Sequence, residues 1–188
     1  YLDYNDTTPT DMSLAKTWLE KQSLYANPSS IHQDGREAKE LLESSRTLIA
    51  AQLGCRPEQL IFTSSATEGN NMVMRSLLDH HDIKNCHIIS SKLEHASVKE
   101  NCIYLEQKGV SVSWVPGKQD GTIDVTALKK AINKKTKLIT IMLANNETGV
   151  IQPLEEIIRI AKQHKVKILC DAVQALGKIP IKMPDYDV

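Results

Sequence analysis

The sequence of 188 residues has no excess of charge of either sign, no long apolar run and no paired cysteine motif. Lysine and arginine together number 23, and so do aspartate and glutamate, so the formal net charge is zero. A chain without net charge has no overall field that would attract nucleic acid or an anionic membrane surface. No apolar stretch approaches the ~18–20 residues that cross a bilayer. We therefore expect neither a nucleic-acid partner nor a membrane partner.

The four cysteines, Cys55, Cys86, Cys102 and Cys170, form no CxxC pair. Their spacing fits neither a zinc ribbon nor a small disulfide-bonded scaffold. We therefore predict no metal site, and we interpret these residues as small apolar core residues in a reducing compartment. The first eleven residues are polar, so we expect no signal peptide. Together these features predict a cytoplasmic location.

Composition and apolar periodicity predict one globular α/β domain. Hydrophobic residues make up 41% and charged residues 24% of the chain, which excludes an intrinsically disordered protein. A length of 188 residues fits a single domain of ~100–200 residues. Strands and helices alternate along the chain. The predicted helices cover residues 31–53, 64–78 (opening in the turn 64–68), 94–107, 125–133 and 153–165, and the predicted strands cover 59–63, 87–90, 110–115, 137–143 and 165–170.

Alternating strands and helices predict a mostly parallel sheet that is covered by helices on both faces. In such sheets, ligands bind at the carboxyl ends of the strands. Four polar segments directly follow predicted strands and are therefore candidate site segments. They are residues 64–67, 91–95, 144–149 and 171–174.

The first two segments combine hydrogen-bonding groups with a helix start. In Thr63–Thr67, hydroxyls and free backbone N–H groups would hold a phosphate, although the segment taken alone favours ordinary helix capping by Thr67. The segment is neither a P-loop nor a GxGxxG dinucleotide fingerprint. His95 lies one residue into the next predicted helix, where it would stack on a planar ring, act as a base, or serve only a structural purpose.

The last two segments add amides and a carboxylate. Asn145–Gly149 is either a plain turn or a turn that presents side chains to a cleft. Asp171 ends an apolar strand, where a carboxylate needs a cationic partner such as a pyridinium nitrogen, unless it only caps a helix. Gln174 follows three residues later. Taken together, the four segments fit pyridoxal 5'-phosphate, which needs a phosphate cradle, a stacking partner, a carboxylate at the ring nitrogen and a hydrogen bond to the phenolic oxygen.

Stretches typical of one known family occur in order along the whole chain. They are Tyr1-Leu2-Asp3, Thr7-Thr8-Pro9, Asn27-Pro28-Ser29-Ser30-Ile31-His32, residues 62–71 (FTSSATEGNN), Glu94-His95, Ala144-Asn145-Asn146-Glu147-Thr148-Gly149 and residues 171–178 (DAVQALGK). With these stretches, the sequence resembles the class V aminotransferase superfamily and, within it, the NifS/IscS-type cysteine desulfurases. Residues 27–32 and 145–149 favour the desulfurase branch. One departure is Ser65, which stands where the family usually has glycine.

The resemblance implies a fold and a domain arrangement. The fold is the three-layer α/β large domain of the fold-type I pyridoxal-phosphate-dependent transferases, with a mostly parallel sheet. Residues 1–188 would form the N-terminal portion of this cofactor-binding large domain, truncated and without the C-terminal small domain. We expect the Schiff-base lysine and the persulfide-forming cysteine of the family to be absent from the chain.

The resemblance also implies roles for individual residues. Residues 66–67 would bind the cofactor phosphate, and His95 would stack on the pyridine ring as the catalytic residue present in the chain. Asn146 would contact the cofactor and help to place the substrate. Asp171 would pair with the ring nitrogen, and Gln174 would bond the phenolic oxygen. The implied cofactor-binding residues are thus Ala66, Thr67, His95, Asn146, Asp171 and Gln174.

The implied function is a desulfurase that converts L-cysteine into L-alanine and an enzyme persulfide, and so supplies sulfur for iron–sulfur clusters or tRNA thiolation. The implied partners are sulfur-acceptor or scaffold proteins and a second copy in a homodimer. We expect the chain alone not to turn over. Two alternatives remain open: another class V enzyme, such as a transaminase or selenocysteine lyase, and a non-catalytic remnant that only binds a partner.

Overall fold

A computed structural model of the protein describes residues 3–5 and 7–183. The chain forms two compact units, residues 1–61 and residues 62–188. Tyr1 and Leu2, which begin the family-like stretches, lie outside the described residues. None of the helices described is both long and apolar enough to cross a membrane.

The first unit contains two α-helices and a short 3₁₀ turn. Helix α1 spans Met12–Lys21 and begins after Asp11, whose carboxylate accepts a hydrogen bond from the Ser13 backbone N–H at 2.8 Å. Helix α2 spans Gln33–Leu53 and ends at Gly54 in the left-handed conformation (φ 68°), which confirms the predicted helix and its end. Helix α1 was not predicted from the sequence, and its residues are all at least partly exposed.

The predicted strand over residues 59–63 is wrong. Pro57–Gln59 form the 3₁₀ turn, and the residues after it pair with no strand among the described residues. Ile61 and Phe62 are 68% and 46% exposed. Apolar side chains favour an extended backbone, but a strand also needs a neighbour to pair with, and the prediction took only the first condition into account.

The second unit contains a sheet of four strands, all parallel, in the order β2–β1–β3–β4. The strands are β1 (His87–Ser91), β2 (Ser111–Val115), β3 (Thr136–Met142) and β4 (Lys167–Asp171), and the helices are α3 (Ala66–His80), α4 (Ala96–Gln107), α5 (Val125–Ala131) and α6 (Leu154–His164). These elements confirm the remaining four predicted strands and four predicted helices, with ends that differ by a few residues.

Apolar side chains on alternate strand residues contribute to two cores, one on each face of this sheet. Ile88 and Leu138 contribute to a core with residues of α3 and α4. Their neighbours Ile89 and Ile139 contribute to the opposite core with residues of α5 and α6. Successive side chains of a strand point to opposite faces, so both faces are apolar and both need a layer of helices. The predicted three-layer α/β fold with a parallel sheet is confirmed.

Candidate functional site

The parallel strands bring their carboxyl ends to one edge of the sheet. In the pairing of β3 with β4, Met142 lies opposite Asp171, so both strands end at the same level. Asp171 is 9% exposed and closes β4. The polar segments after β1, β3 and β4 therefore lie along this edge, as the sequence predicted.

The carboxylate of Asp171 accepts hydrogen bonds on both oxygens. Oδ1 accepts from the backbone N–H of Val173 at 3.1 Å, and Oδ2 accepts from the side-chain amide of Asn70 at 3.1 Å. No helix begins directly after Asp171, because residues 172–182 contain turns, isolated bridges and irregular backbone, so the helix-capping alternative is wrong. Both donors are neutral, and a carboxylate at this depth favours a cationic partner.

A line of hydrogen bonds connects Asp171 with His95. The Asn70 amide nitrogen, which bonds Asp171, also lies 3.0 Å from the Ser97 hydroxyl oxygen. The same hydroxyl lies 2.9 Å from Nδ1 of His95. Side chains from three different elements are thus joined: Asn70 from α3, Ser97 from α4 and Asp171 from β4. The structure brings together two of the predicted site residues, Asp171 and His95.

His95 is the N-cap of α4 rather than a residue inside the helix, which corrects the predicted position. Its Nδ1 accepts a hydrogen bond from the backbone N–H of Ser97 at 3.1 Å, and the residue is exposed. One ring nitrogen, Nδ1, therefore has the structural role of capping α4. The ring faces and Nε2 are not needed for capping, so capping leaves a stacking position open.

The α3 helix start offers backbone donors for an anion. Ser65 is the N-cap, and its hydroxyl accepts from the Glu68 N–H at 3.3 Å, so the expected alternative of a Thr67 cap is wrong. The N–H groups of Ala66 and Thr67 belong to the first helical turn, where no intrahelical acceptor exists. Ser65 has an extended backbone (φ −166°), which any residue adopts, so a glycine is not required there.

Glu68 occupies two of the hydrogen-bond donors at this helix start. Its carboxylate accepts from both the backbone N–H and the hydroxyl of Ser64, each at 2.6 Å. The hydroxyl bond, followed by the backbone bond, lowers the pKa of Glu68, which keeps the group anionic. The donors that remain for a phosphate are those of residues 66 and 67.

Thr67 and His95 line one open cleft of about 360 Å³ between α3 and α4. Thr67 stands at the start of α3, and His95 caps the start of α4. Both helix N-termini carry partial positive charge, so the cleft favours a negatively charged group. Thr67 is thereby brought to the same place as His95.

Asn146 and Gln174 lie in the loops that follow β3 and β4, and both are half-buried. The loop at Asn146 is organised by its neighbour Asn145, whose side-chain oxygen accepts from the backbone N–H of Thr148 at 2.8 Å. The Gln174 side-chain oxygen accepts from the Lys178 ammonium group. Asn146 and Gln174 therefore lie at the sheet edge where Asp171 is found.

Glu94 is a buried carboxyl group that the sequence analysis did not single out. It is 2% exposed, and its Oε1 accepts from the Ser91 hydroxyl at 2.9 Å and from the Met142 N–H at 3.0 Å. Burial raises its pKa to about 8, so the group is largely protonated at neutral pH. Glu94 thus joins the end of β1 to the end of β3, where Met142 is paired with Asp171.

A sequence signal exists for Asn70, which was also missed. Asn70 precedes Met74 by four residues and Leu77 by seven, so it lies on the buried face of α3. A polar residue on an apolar helix face needs a buried hydrogen-bond partner. The signal for Glu94 is weaker, because a glutamate just before a helix is ordinarily exposed.

The cysteines confirm the interpretation as core residues in part. Cys86 and Cys102 are buried, whereas Cys55 and Cys170 are half-buried. Burial raises the pKa of Cys102 to about 11 and that of Cys170 to about 12, so both are neutral thiols at physiological pH. A nucleophilic cysteine needs the thiolate, so neither residue is suited to that task.

The residues present fit pyridoxal phosphate. The fit rests on a buried carboxylate whose hydrogen-bond donors are neutral, on an exposed imidazole tied to it, and on free backbone donors at a helix start. These groups match the charges of a pyridinium ring and a phosphate. Two carboxylates oppose phosphate binding: that of Glu68, which is held by Ser64, and that of Glu100, which lines the cleft.

Comparison with known proteins gives consistent similarities. The sequence model of the family described as aminotransferase class-V matches residues 1–188. The chain is 41% identical over 191 residues to the cysteine desulfurase IscS of Dictyoglomus turgidum, covering 100% of this chain and 48% of that protein. It is 38% identical over 190 residues to the mitochondrial cysteine desulfurase of Arabidopsis thaliana, covering 100% of this chain and 42% of that protein.

Solved structures agree with this similarity. A NifS-like protein superimposes with a TM-score of 0.96 at 36% identity, covering 100% of this chain and 52% of that chain. SspA in complex with cysteine superimposes with a TM-score of 0.94 at 33% identity, covering 100% of this chain and 55% of that chain. The chain spans about half the length of the curated relatives that it matches.

Proposed function

Because this chain belongs to the aminotransferase class-V family, we propose that the protein containing it is a pyridoxal-phosphate-dependent cysteine desulfurase. The reaction would convert L-cysteine into L-alanine and leave the sulfur on an enzyme cysteine as a persulfide. Two similarities support this reaction: the curated relatives are cysteine desulfurases, and one structural relative is in complex with cysteine.

The observation that carries the proposal is the hydrogen-bonded line from Asp171 to His95. The carboxylate at the end of β4 would hold the proton of a pyridine nitrogen, and the imidazole would lie against the ring. When bound, the cofactor supplies an electron sink for the carbanion at the substrate α-carbon. A carboxylate that keeps the ring nitrogen protonated makes that sink stronger.

Other residues of the chain would bind the cofactor and orient the substrate. The N–H groups of residues 66–67 would hold the phosphate, and the α3 dipole would favour its charge. We propose that Gln174 donates to the phenolic oxygen and that Asn146 helps to place the substrate. In this proposal, Glu94 fixes the strand ends that carry the site but does not touch the cofactor.

The proposal assigns the covalently bound lysine and the sulfur-accepting cysteine to sequence outside these 188 residues. None of the four cysteines here matches the family's nucleophile, and Lys178 and Lys182 come too early to match its lysine. The proposal further includes a homodimer, a sulfur-accepting partner protein and a cytoplasmic location, which rest on the resemblance and on composition.

The test is turnover of L-cysteine by the protein at its full encoded length with added pyridoxal phosphate. We expect alanine and persulfide sulfur in equal amounts. Asp171→Ala should lower the rate about a hundredfold or more, because the charge at the ring nitrogen is then unsupported. Asp79→Asn, an exposed change on α3, is the matched control and should leave the rate unchanged.

Two outcomes would contradict the proposal. Formation of a 2-oxo acid rather than alanine would assign a transaminase reaction. Equal rates for Asp171→Ala and the unchanged protein would remove the carboxylate from the chemistry. The chain of 188 residues alone should give no alanine above a control that contains only the cofactor.

A further inference from the structure

We propose that Asn70 is a positioning residue of this site: it holds the carboxylate of Asp171 and, through Ser97, the imidazole of His95. Its role toward the cofactor rests on the proposed function. The hydrogen-bonded arrangement itself does not, and it is testable without cofactor. The inference adds to the site a residue that touches neither the ring nor the phosphate in the proposal.

Asn70 is buried in a way that makes its hydrogen bonds costly to lose. It is 5% exposed and lies on the face of α3 that carries Met74 and Leu77. An amide removed from water needs partners for its two N–H donors. Its nitrogen has two, Asp171 Oδ2 at 3.1 Å and Ser97 Oγ at 3.0 Å. Both donors of the amide are therefore used inside the site.

The direction of each hydrogen bond follows from chemistry. An ionised carboxylate only accepts, so the group of Asn70 that faces Asp171 must be the NH₂ group rather than the carbonyl oxygen. The same NH₂ group donates to the Ser97 oxygen. The Ser97 hydroxyl is then free to donate its own hydrogen to Nδ1 of His95, 2.9 Å away.

The arrangement also selects the tautomer of His95. The backbone N–H of Ser97 points at the same Nδ1, at 3.1 Å, and a backbone N–H can only donate. Nδ1 must therefore carry a lone pair, which places the proton of the neutral ring on Nε2. Two donors on one nitrogen fix the ring both in tautomer and in orientation.

Asn70 consequently links two functions that the proposed site needs. Asp171 lies 101 positions further along the chain, and Ser97 lies 27 positions further along. One side chain thus fixes the carboxylate at the ring nitrogen relative to the imidazole at the ring face. Loss of the amide would remove two hydrogen bonds, the one that the Ser97 hydroxyl accepts from Asn70 and the one that Oδ2 of Asp171 accepts from Asn70.

The test compares Asn70→Leu, Asn70→Asp and Ser97→Ala with the unchanged protein at its full encoded length. Leu keeps the branching of Asn at Cγ, is somewhat larger and removes the donors, whereas Asp keeps the shape and places a second carboxylate beside Asp171. Asn85→Leu replaces an exposed asparagine and is the matched control. Circular dichroism tests whether each variant is folded.

The first measurement is the ¹⁵N spectrum of the histidine rings in cofactor-free protein at alkaline pH. We expect His95 as the single Nε2–H tautomer, with a change of its Nδ1 resonance in Asn70→Leu and Ser97→Ala. His87, which bonds Thr136 and Ser113, is the internal reference and should not change. A His95 resonance that is the same in all variants, or an Nδ1–H tautomer, would overturn the proposal.

The second measurement is the dissociation constant of pyridoxal phosphate without substrate, followed by its visible absorption. Asn70→Asp should weaken binding about tenfold or more, Asn70→Leu should weaken it by a smaller factor, and Asn85→Leu should have no effect. Unchanged affinity in both Asn70 variants would exclude a positioning role toward the cofactor. If the unchanged protein binds no cofactor, the proposed function fails. The histidine spectrum still tests whether Asn70 and Ser97 hold His95 by hydrogen bonds. If Asn70→Leu does not fold, Ser97→Ala decides it.

Discussion

Glu94 illustrates how strongly a fold alters a single side chain. A glutamate in water has a pKa near 4.3. At Glu94, burial raises the pKa to about 8, and the hydrogen bonds from Met142 and Ser91 only partly oppose this rise. The folded protein therefore keeps a proton on this group that the unfolded chain loses above about pH 4.5. Stability linked to Glu94 is present at acidic pH and is lost as the pH rises to about 8.

The corresponding prediction concerns Glu94→Gln, which keeps the shape and stays neutral. Between pH 5 and pH 8 the free energy of unfolding should fall more steeply for the unchanged protein than for the variant, by up to about 1 kcal/mol per pH unit. Urea denaturation at both pH values measures this. Glu100→Gln, at an exposed glutamate of α4, is the control and should follow the unchanged protein. Parallel pH profiles for Glu94→Gln and the unchanged protein would contradict the assignment.

Residue types after strands predicted part of the site, and burial decided the rest. Asp171 and His95 were identified because polar residues at the ends of parallel strands gather at one edge. Asn70 and Glu94 were not. Helical spacing places Asn70 on a buried face of α3, but the partners of both side chains lie far away in sequence. Glu94 contacts Met142, 48 positions later. No local pattern encodes such a contact.

At the scale of elements, helix α6 ends in a strained residue. Lys165 closes the helix with φ 57° and ψ 35°, and it is the one non-glycine residue with positive φ in the described part of the chain. Its backbone N–H bonds the Lys162 carbonyl at 3.1 Å, and the N–H of Val166 bonds that of Ala161 at 2.9 Å. Glycine ordinarily occupies this position, because a Cβ atom disfavours the left-handed conformation.

We expect Lys165→Gly to be more stable than Lys165→Ala by about 0.5–1 kcal/mol. Both variants remove the same exposed side chain, so their difference isolates the backbone effect. Relief of strain in the folded state exceeds the extra freedom that glycine gives the unfolded chain. Chemical denaturation of the two variants measures the difference, and a less stable glycine variant would show that the helix end is not strained.

The segment 59–63 shows the limit of prediction for elements. Its apolar residues have the composition of a strand, yet the segment joins no β-sheet of the described residues. By contrast, the four strands that were predicted correctly are paired within one sheet. Whether an extended segment becomes a strand is a property of its neighbours.

At the scale of the whole molecule, the core is unevenly distributed. Both apolar clusters belong to the unit of residues 62–188. In the helices of the first unit, the buried residues are Gly35 and Ala50 of α2, and α1 has none. Local stability follows burial, so the two units should differ in how often their backbone opens.

Hydrogen exchange followed by mass spectrometry tests this difference. Amides of β3, which is paired on both sides and borders both cores, should exchange slowest. Amides of α1 should exchange fastest among the α-helices, because opening them exposes no buried side chain. Equal protection of α1 and β3 would contradict the uneven distribution of the core.

The sequence by itself determined the class of fold and the edge at which the site forms. Three signals are local in the sequence: the apolar periodicity of helices and strands, the end of α2 at Gly54, and the polar segments that follow strands. Only the tertiary structure decided which groups meet. The bonds of Asn70 and the proton on Glu94 arise from contacts between distant segments, and their energies depend on burial that exists only once the chain has folded.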